Sequence, residues 1–253
     1  MSGDELSEEE LVELRRLLVR FQNTFSRNDG ELGRTNVIQH RINTGAAIPI
    51  RQARRRLSIG KKEMEQAEVR KMLENGIIEP SVSPWRANPV LVVKSDGKCQ
   101  FCVDYRDLNR VTVADVVPAV RVDECLDALS GAKYFCTLDM SSGFWQVELA
   151  NEDRPKTAFG TSLGLLQFCV MRYGLVNSCS TFIRLVEEVG RGMMWEELLA
   201  YIDDLLIPGR DAQQVLERLA NVLERLEAAD LKVKPSKCQL FRTSVKFLGH
   251  VVS

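Results

Sequence analysis

Histidine is scarce in this sequence of 253 residues, and long apolar runs and an excess of either charge are missing. The two histidines, His40 and His250, are too few to favour a zinc site. No apolar run approaches the roughly 18 residues of a membrane span, so we expect no membrane contact. The net charge of −1 excludes a uniformly basic coat for nucleic acid, although it permits a local basic groove. The acidic start, MSGDELSEEEL, is unlike a secretory signal.

The cysteines are poorly suited to a metal or redox site. Seven cysteines, an odd number, in a chain without a signal sequence predict reduced thiols in an intracellular protein, cytoplasmic or nuclear. Cys99 and Cys102 have CxxC spacing, but there is no second CxxC. Their segment also has the pattern of a strand, in which residues three apart point to opposite faces. Half a zinc site or a redox pair is therefore the less favoured interpretation.

What is present is the composition and patterning of a folded α+β protein. Apolar residues make up 45% and charged residues 27% of the chain, which excludes a wholly disordered protein. The length suits one or two domains. The order of the predicted elements favours a sheet with helices on one face.

The predicted elements begin with an amphipathic helix. Ser7 and Glu10 form a capping-box pattern ahead of this helix, and residues 26–50 have the pattern of a connecting segment. A second helix is predicted at 58–75, ending at Gly76. The later predicted elements are a hairpin at 89–105, a helix at 123–131, two strands at 133–149 broken at Ser141 to Gly143, a helix at 180–194, a hairpin at 197–208, a helix opened by Asp211 and Gln214, and two strands at 239–253 about Thr243 and Ser244.

A basic stretch interrupts this nearly neutral chain. Residues 51–72 contain eight Lys or Arg against three Glu, a local charge of +5. Arg54, Arg55 and Arg56 lie just before the predicted helix. A solvated helix face and a surface that tracks phosphates both fit this pattern.

Two adjacent carboxylates in an apolar segment are the strongest chemical signal. Asp203 and Asp204 lie within LLAYIDDLLI, residues 198–207, which is otherwise uncharged. An exposed hairpin tip would normally contain Gly or Asn. Two like charges beside buried strands repel each other and lose hydration, and a divalent cation such as Mg²⁺ would remove that cost. An ordinary exposed turn is the alternative interpretation.

A third carboxylate has similar surroundings. Asp139 closes the predicted strand that begins at Tyr134, and alternation places it on one face with Phe135 and Thr137. If this strand pairs with the one that carries the adjacent acids, all three carboxylates meet. Three carboxylates without cysteine or histidine indicate a hard cation rather than zinc. Two Mg²⁺ ions about 3.5–4 Å apart can activate a 3′-hydroxyl and stabilise a leaving pyrophosphate.

Several sequence blocks surround these acids. They are GIIEPS at 76–81 with SPW at 83–85, FCVDYRDLN at 101–109, TLDMSSGFWQV at 137–147, KTAF at 156–159, PSKC at 235–238 and FLGHVVS at 247–253. Together with YIDD at 201–204, which is similar to the catalytic YxDD box, they resemble the reverse transcriptases of Gypsy-type LTR retrotransposon Pol polyproteins, in the order of that family. The resemblance extends from about residue 20 onward.

The resemblance implies a right-hand polymerase whose palm is a ferredoxin-like sheet backed by helices. It divides the chain into an N-terminal helical extension and connecting segment at 1–45, fingers at 46–113 and 147–178, and palm at 114–146 and 179–253, ending at a primer-grip hairpin. The thumb, connection, RNase H, protease and integrase regions of a full Pol are expected to be absent, which predicts poor processivity.

The resemblance also implies roles for individual residues. Asp139, Asp203 and Asp204 match the catalytic residues that bind two Mg²⁺ ions, or Mn²⁺ in their place. Phe144 matches the aromatic residue that stacks under the incoming sugar and excludes a 2′-hydroxyl, with packing in the core as the alternative.

Further residues match the nucleotide and primer sites. Lys94 resembles the lysine that holds the triphosphate, and Tyr173 lies where the family contacts template and nucleotide. The primer-grip hairpin contains Leu248, Gly249 and His250.

The chain departs from the family pattern at several positions near the expected nucleotide site. Gln100 replaces an arginine that clamps the triphosphate, and the lost charge-assisted hydrogen bond should weaken nucleotide use by about 10- to 150-fold. Lys98, on the same strand face, offers partial compensation. Arg172 and Cys179 stand where the family has proline, and residues 117–121 also differ. The three acids are retained.

The resemblance therefore implies an RNA-directed DNA polymerase core that adds dNTPs to a primer 3′-hydroxyl on an RNA or DNA template. A decayed or host-retained fragment that folds without polymerising, and at most binds nucleic acid, is the alternative. Gln100, Arg172, Cys179 and the absent thumb favour it. A palm polymerase that makes RNA is less favoured, because Phe144 matches a residue that excludes ribonucleotides.

Overall fold

The computed structural model describes residues 6–28, 30–53, 58–93, 99–117, 122–202 and 204–253. The described helices are α1 (Glu8–Arg20), α2 (Ile59–Glu74), α3 (Arg106–Val111), α4 (Val122–Asp127), α5 (Ser178–Val189) and α6 (Ala212–Ala228). The described strands are β1 (Thr35–His40), β2 (Ile78–Pro80), β3 (Pro89–Val93), β4 (Cys99–Val103), β5 (Tyr134–Asp139), β6 (Val147–Leu149), β7 (Phe159–Thr161), β8 (Gly164–Phe168), β9 (Leu199–Tyr201), β10 (Asp204–Gly209), β11 (Gln239–Arg242), β12 (Val245–Phe247) and β13 (His250–Val252). Short 3₁₀ helices occur at Gln22–Thr24, Gly143–Gln146, Arg154–Thr157 and Pro235–Lys237.

The chain divides into two compact units, each assembled from segments far apart in sequence. The first unit consists of Met1–Ile38, Val116–Gln146 and Phe182–Ser253. The second consists of Gln39–Asp115 and Val147–Thr181. Both contain helices and strands, so the prediction of an α+β fold is confirmed.

The first unit is built on an antiparallel sheet with strand order β11-β5-β10-β9. Helix α6 packs against β5 and β10. The other face is covered by α4 and the hairpin β12–β13, which enclose a buried cluster of Cys125, Leu129, Phe135, Leu199, Leu206, Val245 and Phe247. The sheet therefore has apolar residues on both faces, and the prediction of helices on one face alone was incomplete.

The two longest helices of the first unit begin as their sequences predict. The Asp211 carboxylate accepts from the Gln214 backbone N–H at 2.8 Å, and the Gln214 side chain accepts from the Arg210 N–H at 2.9 Å. In the capping box of α1, the Ser7 backbone N–H donates to the Glu10 carboxylate at 2.7 Å. Helix α6 is the longest described, with 17 residues, and none of the described helices is long and apolar enough to cross a bilayer.

The second unit contains the three-stranded sheet β2-β8-β7 and the two-stranded ribbon β3–β4. Aromatic packing joins them, since the ring centroids of Phe159 lie 5.6 Å from Phe101 and 5.0 Å from Phe168. Buried Glu65 on α2 accepts from the Ser162 N–H at 2.9 Å and so anchors the helix to the β7–β8 turn. The predicted hairpin at 89–105 and the helix at 58–75 are confirmed.

Several elements differ from their predictions. Strand β1 lies within the segment 26–50 predicted to be a connector, and β2, β7 and β8 were not predicted. The predicted pair about Thr243 and Ser244 was wrong: β11 pairs with β5, and β12 pairs with β13 about Leu248 and Gly249. Both turn residues have positive φ, at 52° and 83°, as a two-residue hairpin turn requires. Pairing between distant strands decided the partner of β11, which local turn residues do not specify.

Cys136, on β5, predicts a pH dependence of stability. Its thiol is buried and accepts from the Phe241 N–H at 3.3 Å, and burial raises the pKa of Cys136 to about 12. An unfolded thiol has a pKa of about 8.5. The unfolded chain therefore loses this proton first. The stabilisation is complete below about pH 8.5 and is lost as pH rises toward 12.

We expect urea midpoints measured from pH 8 to 11 to fall less steeply for Cys136→Ala than for the unchanged chain. The slopes are compared, because the substitution itself lowers stability at every pH. Cys179→Ala, at an exposed thiol, should retain the original slope. Equal slopes for all three proteins would show that Cys136 contributes nothing to the alkaline loss.

Candidate catalytic carboxylate site

Strand pairing brings together two carboxylates that are far apart in the sequence. Asp139 is the last residue of β5, Asp204 is the first residue of β10, and the register places them directly opposite each other. Opposed residues of an antiparallel pair share a face, with Cβ atoms about 4.5–5.5 Å apart. The pairing of these two strands, the condition for the acids to meet, is present. Asp203 lies outside the described residues.

The turn that precedes Asp204 is strained. Tyr201 and Asp204 are paired residues of β9 and β10, so Ile202 lies in the tight connection between the two strands. Ile202 has φ of 54°, a left-handed conformation that costs an L-residue roughly 1–2 kcal/mol and is rare for β-branched side chains. Such strain persists where the surrounding structure imposes it, and it is concentrated at functional sites.

A lysine that we did not predict contacts the first carboxylate. Lys237 Nζ lies 3.1 Å from Asp139 Oδ1 and 2.9 Å from Oδ2. The backbone also joins the two segments, since the Lys234 N–H donates to the Asp139 carbonyl at 2.8 Å. The Asp139 side chain is 21% exposed and that of Lys237 is 58% exposed. The PSKC block contained this lysine, but local sequence carries no sign of a contact between residues 98 positions apart.

A buried glutamine holds the same region in place. The Gln146 side chain is fully buried, and its Nε2 donates to the carbonyls of Ser141 and Lys232, both at 2.8 Å. Its Oε1 accepts from the Lys232 N–H at 2.7 Å. Gln146 therefore connects the chain just after Asp139 to the segment that leads to Lys237. Its place in the TLDMSSGFWQV block gives no sign of this role, because both carbonyl contacts depend on the tertiary structure.

The described donors fit a hard divalent cation. Asp139 and Asp204 present carboxylate oxygens on one face, which suit Mg²⁺ or Mn²⁺ rather than zinc. The Lys237 ammonium already occupies a position beside Asp139 that attracts positive charge. Within the described residues, no set of three or more His, Cys, Asp or Glu is placed to hold a metal. The third predicted ligand, Asp203, lies outside them.

Phe144 is a core residue of the first unit. Its side chain is 1% exposed, and its ring centroid lies 5.3 Å from that of Phe182. At the neighbouring Gly143, an added Cβ would lie 2.9 Å from the Phe182 ring, so backbone and ring are closely packed here. This arrangement gives Phe144 the core-packing role that was the alternative interpretation of its sequence position. The sugar-stacking role stays a prediction.

The nucleotide-side residues that the structure describes belong to the second unit. Gln100 is exposed on β4, paired with Val92 of β3. Tyr173 is 57% exposed. Asn109 holds the segment that follows, donating to the Gly174 carbonyl at 2.8 Å and accepting from the Val176 N–H at 3.0 Å. Lys94 and Lys98 lie outside the described residues.

The predicted primer-grip residues form the C-terminal hairpin of the first unit. Leu248 and Gly249 make its turn, and Leu248 packs against the buried cluster beside α4. His250 begins β13 and is exposed. In the basic stretch, Lys61 and Lys62 are exposed on α2, whereas Arg54 to Arg56 lie outside the described residues.

The sequence matches one family of known proteins. The family described as "Reverse transcriptase (RNA-dependent DNA polymerase)" matches residues 92–252. The chain is 32% identical over 255 residues to the retrovirus-related Pol polyprotein from transposon 297 of Drosophila melanogaster, covering 99% of the chain and 24% of that polyprotein. It is 31% identical over 248 residues to the Pol polyprotein from transposon gypsy of the same organism, covering 95% of the chain and 24% of the polyprotein. The chain thus spans about a quarter of these relatives.

Solved structures show the same fold at lower sequence identity. The foamy viral protease-reverse transcriptase in complex with RNA/DNA hybrid superposes with a TM-score of 0.89 at 23% identity, covering 98% of this chain and 33% of that one. The same viral protein in a form bound to double-stranded DNA gives a TM-score of 0.88 at 24% identity, covering 98% and 44%. The expected right-hand fold of fingers and palm is confirmed.

Proposed function

Because this chain belongs to the reverse transcriptase (RNA-dependent DNA polymerase) family, we propose that it is the polymerase core of a Gypsy-type retrotransposon Pol polyprotein. It extends a primer 3′-hydroxyl with dNTPs on an RNA or DNA template. The observation that carries this proposal is the register of β5 and β10, which places Asp139 and Asp204 opposite each other at one end of the two central strands. A fragment that only binds nucleic acid has no need of opposed carboxylates, because they repel phosphate.

Enzymes of this family use divalent metal ions. In this chain, Asp139, Asp203 and Asp204 are the proposed ligands, with Mg²⁺ as the ion and Mn²⁺ as its substitute. When bound, two such ions would lower the pKa of the primer 3′-hydroxyl and neutralise charge on the departing pyrophosphate. Asp139 and Asp204 are held in position by two paired strands, so these proposed ligands need little reorganisation during the reaction.

The remaining residues bind substrates in this proposal. The first unit is the palm and the second unit is the fingers. Gln100, Tyr173, Lys94 and Lys98 contact the incoming nucleotide, and Phe144 limits the space at its 2′ position. The primer grip at Leu248 to His250 holds the primer end. The solved foamy viral structures bind RNA/DNA hybrid and double-stranded DNA, which supports a template–primer duplex as the substrate here.

Primer extension on poly(rA)/oligo(dT) with Mg²⁺ and dTTP tests this function. The matched control is the chain with both Asp203→Asn and Asp204→Asn. Extension by the unchanged chain and none by the control is the expected result. A chain that is folded by circular dichroism and binds the duplex, yet adds no nucleotide, would support the alternative of a nucleic-acid-binding fragment.

We expect Lys237 to lower the affinity of the carboxylate site for a metal ion, an effect that is separate from catalysis. Its ammonium contacts both carboxylate oxygens of Asp139, and a cation that binds there must displace or tolerate it. Exposed ion pairs of this kind are worth about 0.2–1 kcal/mol, so Lys237→Met should tighten Mn²⁺ binding by about 1.5- to 5-fold.

The Mn²⁺ affinity is measured on the free protein by electron paramagnetic resonance, without nucleotide or primer. Lys246→Met removes the same charge from an exposed position on β12 and should leave the affinity unchanged. Unchanged or weaker Mn²⁺ binding by Lys237→Met would contradict competition at Asp139.

A further inference from the structure

A buried backbone carbonyl on the outer edge of strand β4 needs a hydrogen-bond donor that β3 does not supply. The Asp104 N–H donates to the Asn88 carbonyl at 3.0 Å, just beyond the paired residues Pro89 and Val103. Hydrogen-bonded and non-bonded pairs alternate along an antiparallel ladder, so Phe101 falls in a non-bonded pair with Leu91. Its carbonyl therefore points away from β3, and Phe101 is only 5% exposed. A buried carbonyl on this edge requires a donor.

Arg172 supplies that donor from the buried interior of the second unit. Its Nη2 donates to the Phe101 carbonyl, and its Nη1 lies 3.9 Å from the Met72 sulfur. The guanidinium also stacks 4.9 Å from the ring centroid of Phe168 and 5.6 Å from that of Phe101. Arg172 is only 7% exposed. Burying a charge in an aromatic core is costly unless its hydrogen bonds and stacking are made, so this side chain is held in one arrangement.

The contact joins two segments that the proposed function places against the incoming nucleotide. Phe101 follows the exposed Gln100 on β4, and Arg172 precedes the exposed Tyr173. A two-stranded ribbon alone is marginally stable, so its orientation depends on tertiary anchors such as this one.

We propose that Arg172 is a positioning residue for the nucleoside triphosphate site. It fixes the edge of β4 so that the distance between Gln100 and Tyr173 stays constant. This inference rests on the proposed polymerase function. The residue acts through Phe101 and does not itself touch the nucleotide. Arginine suits the task because its planar fork reaches the carbonyl while its faces stack on the two rings. Lysine reaches the carbonyl without stacking, so it replaces arginine in part.

Steady-state extension by Arg172→Met and Arg172→Lys tests the positioning role. The loss of a charge-assisted hydrogen bond predicts that Arg172→Met raises KM for dTTP about tenfold, with kcat and template–primer affinity changed by less than about twofold. Arg172→Lys should lie between it and the unchanged chain. Arg86→Met removes another guanidinium–carbonyl contact of the same unit, to Gln52 at 2.7 Å, and should leave KM unchanged. A lower melting temperature with unchanged KM would overturn the proposal.

Amide hydrogen exchange separates this proposal from the proposed function. Without any substrate, Arg172→Met should accelerate exchange in peptides covering β4, while peptides covering the start of α2, from Ile59, keep their rates. If the unchanged chain extends no primer, the polymerase function fails, but the exchange pattern still reports whether Arg172 holds the β4 edge. Uniform acceleration throughout the second unit would overturn the positioning role, because Arg172 would then only stabilise the core.

Discussion

Replacing Asp139 by asparagine is expected to abolish primer extension, lowering the rate by about a thousandfold or more. Asparagine keeps the size of the side chain but removes the charge, and a neutral amide oxygen is a weaker ligand for a hard cation. Carboxylate-bound metal ions contribute several kcal/mol of charge stabilisation in the transition state, and each 1.36 kcal/mol is tenfold in rate. Because Asp139 is partly exposed at the end of β5, the fold should tolerate the change.

Asp204→Asn is expected to have a similarly large effect, because Asp204 faces Asp139 across the two strands. Residues that act as a unit are not additive, so the double variant should be little worse than either single one. Glu224→Gln, at an exposed position on α6, is the matched control and should retain full extension. Retention of more than about a tenth of the activity by Asp139→Asn would contradict its assignment as a metal ligand.

Phe144→Ala is expected to cause the largest loss of stability, about 3–5 kcal/mol, or roughly 6–20 °C in melting temperature. The side chain is 1% exposed and packs against Phe182, so its removal leaves a cavity in the first unit. Tyr173→Ala deletes an aromatic ring that is 57% exposed and should change the melting temperature far less. Thermal unfolding followed by circular dichroism measures both, and equal shifts would show that Phe144 is not a core residue.

The same position can be used to test the predicted control of the sugar. Phe144→Leu keeps most of the apolar volume in the core while it removes the flat ring. If the ring limits space at the 2′ position, incorporation of rUTP relative to dTTP should rise for this variant. An unchanged ratio, together with a lowered melting temperature, would leave Phe144 with its packing role alone.

Local patterns in the sequence predicted the elements that depend on near neighbours. The capping residues of α1 and α6 were identified because a cap contacts a backbone N–H three residues away. The ribbon β3–β4 was identified because alternation and a short turn are local signals. The hairpin β7–β8 was missed, since its strands are short and its partner β2 lies about 80 residues earlier in the chain.

Contacts between distant residues explain the functional features that the sequence did not indicate. Lys237 reaches Asp139 across 98 residues, and Arg172 reaches Phe101 across 71. Gln146 bonds to Lys232 across 86 residues. Each of these side chains was visible in the sequence, but a lysine, an arginine or a glutamine is usually solvated, so its type alone does not reveal a buried or paired role.

The sequence by itself determined the α+β class, most of the helices, the family and the three acids proposed as catalytic, because these follow from local periodicity and from ordered blocks around YIDD. Only the tertiary structure decided that Asp204 faces Asp139, that Lys237 pairs with Asp139, that Phe144 is buried, and that Arg172 donates to the Phe101 carbonyl on β4. The physical reason is that strand register and side-chain burial depend on how distant segments pair and pack, and propensity and spacing along the chain do not specify either.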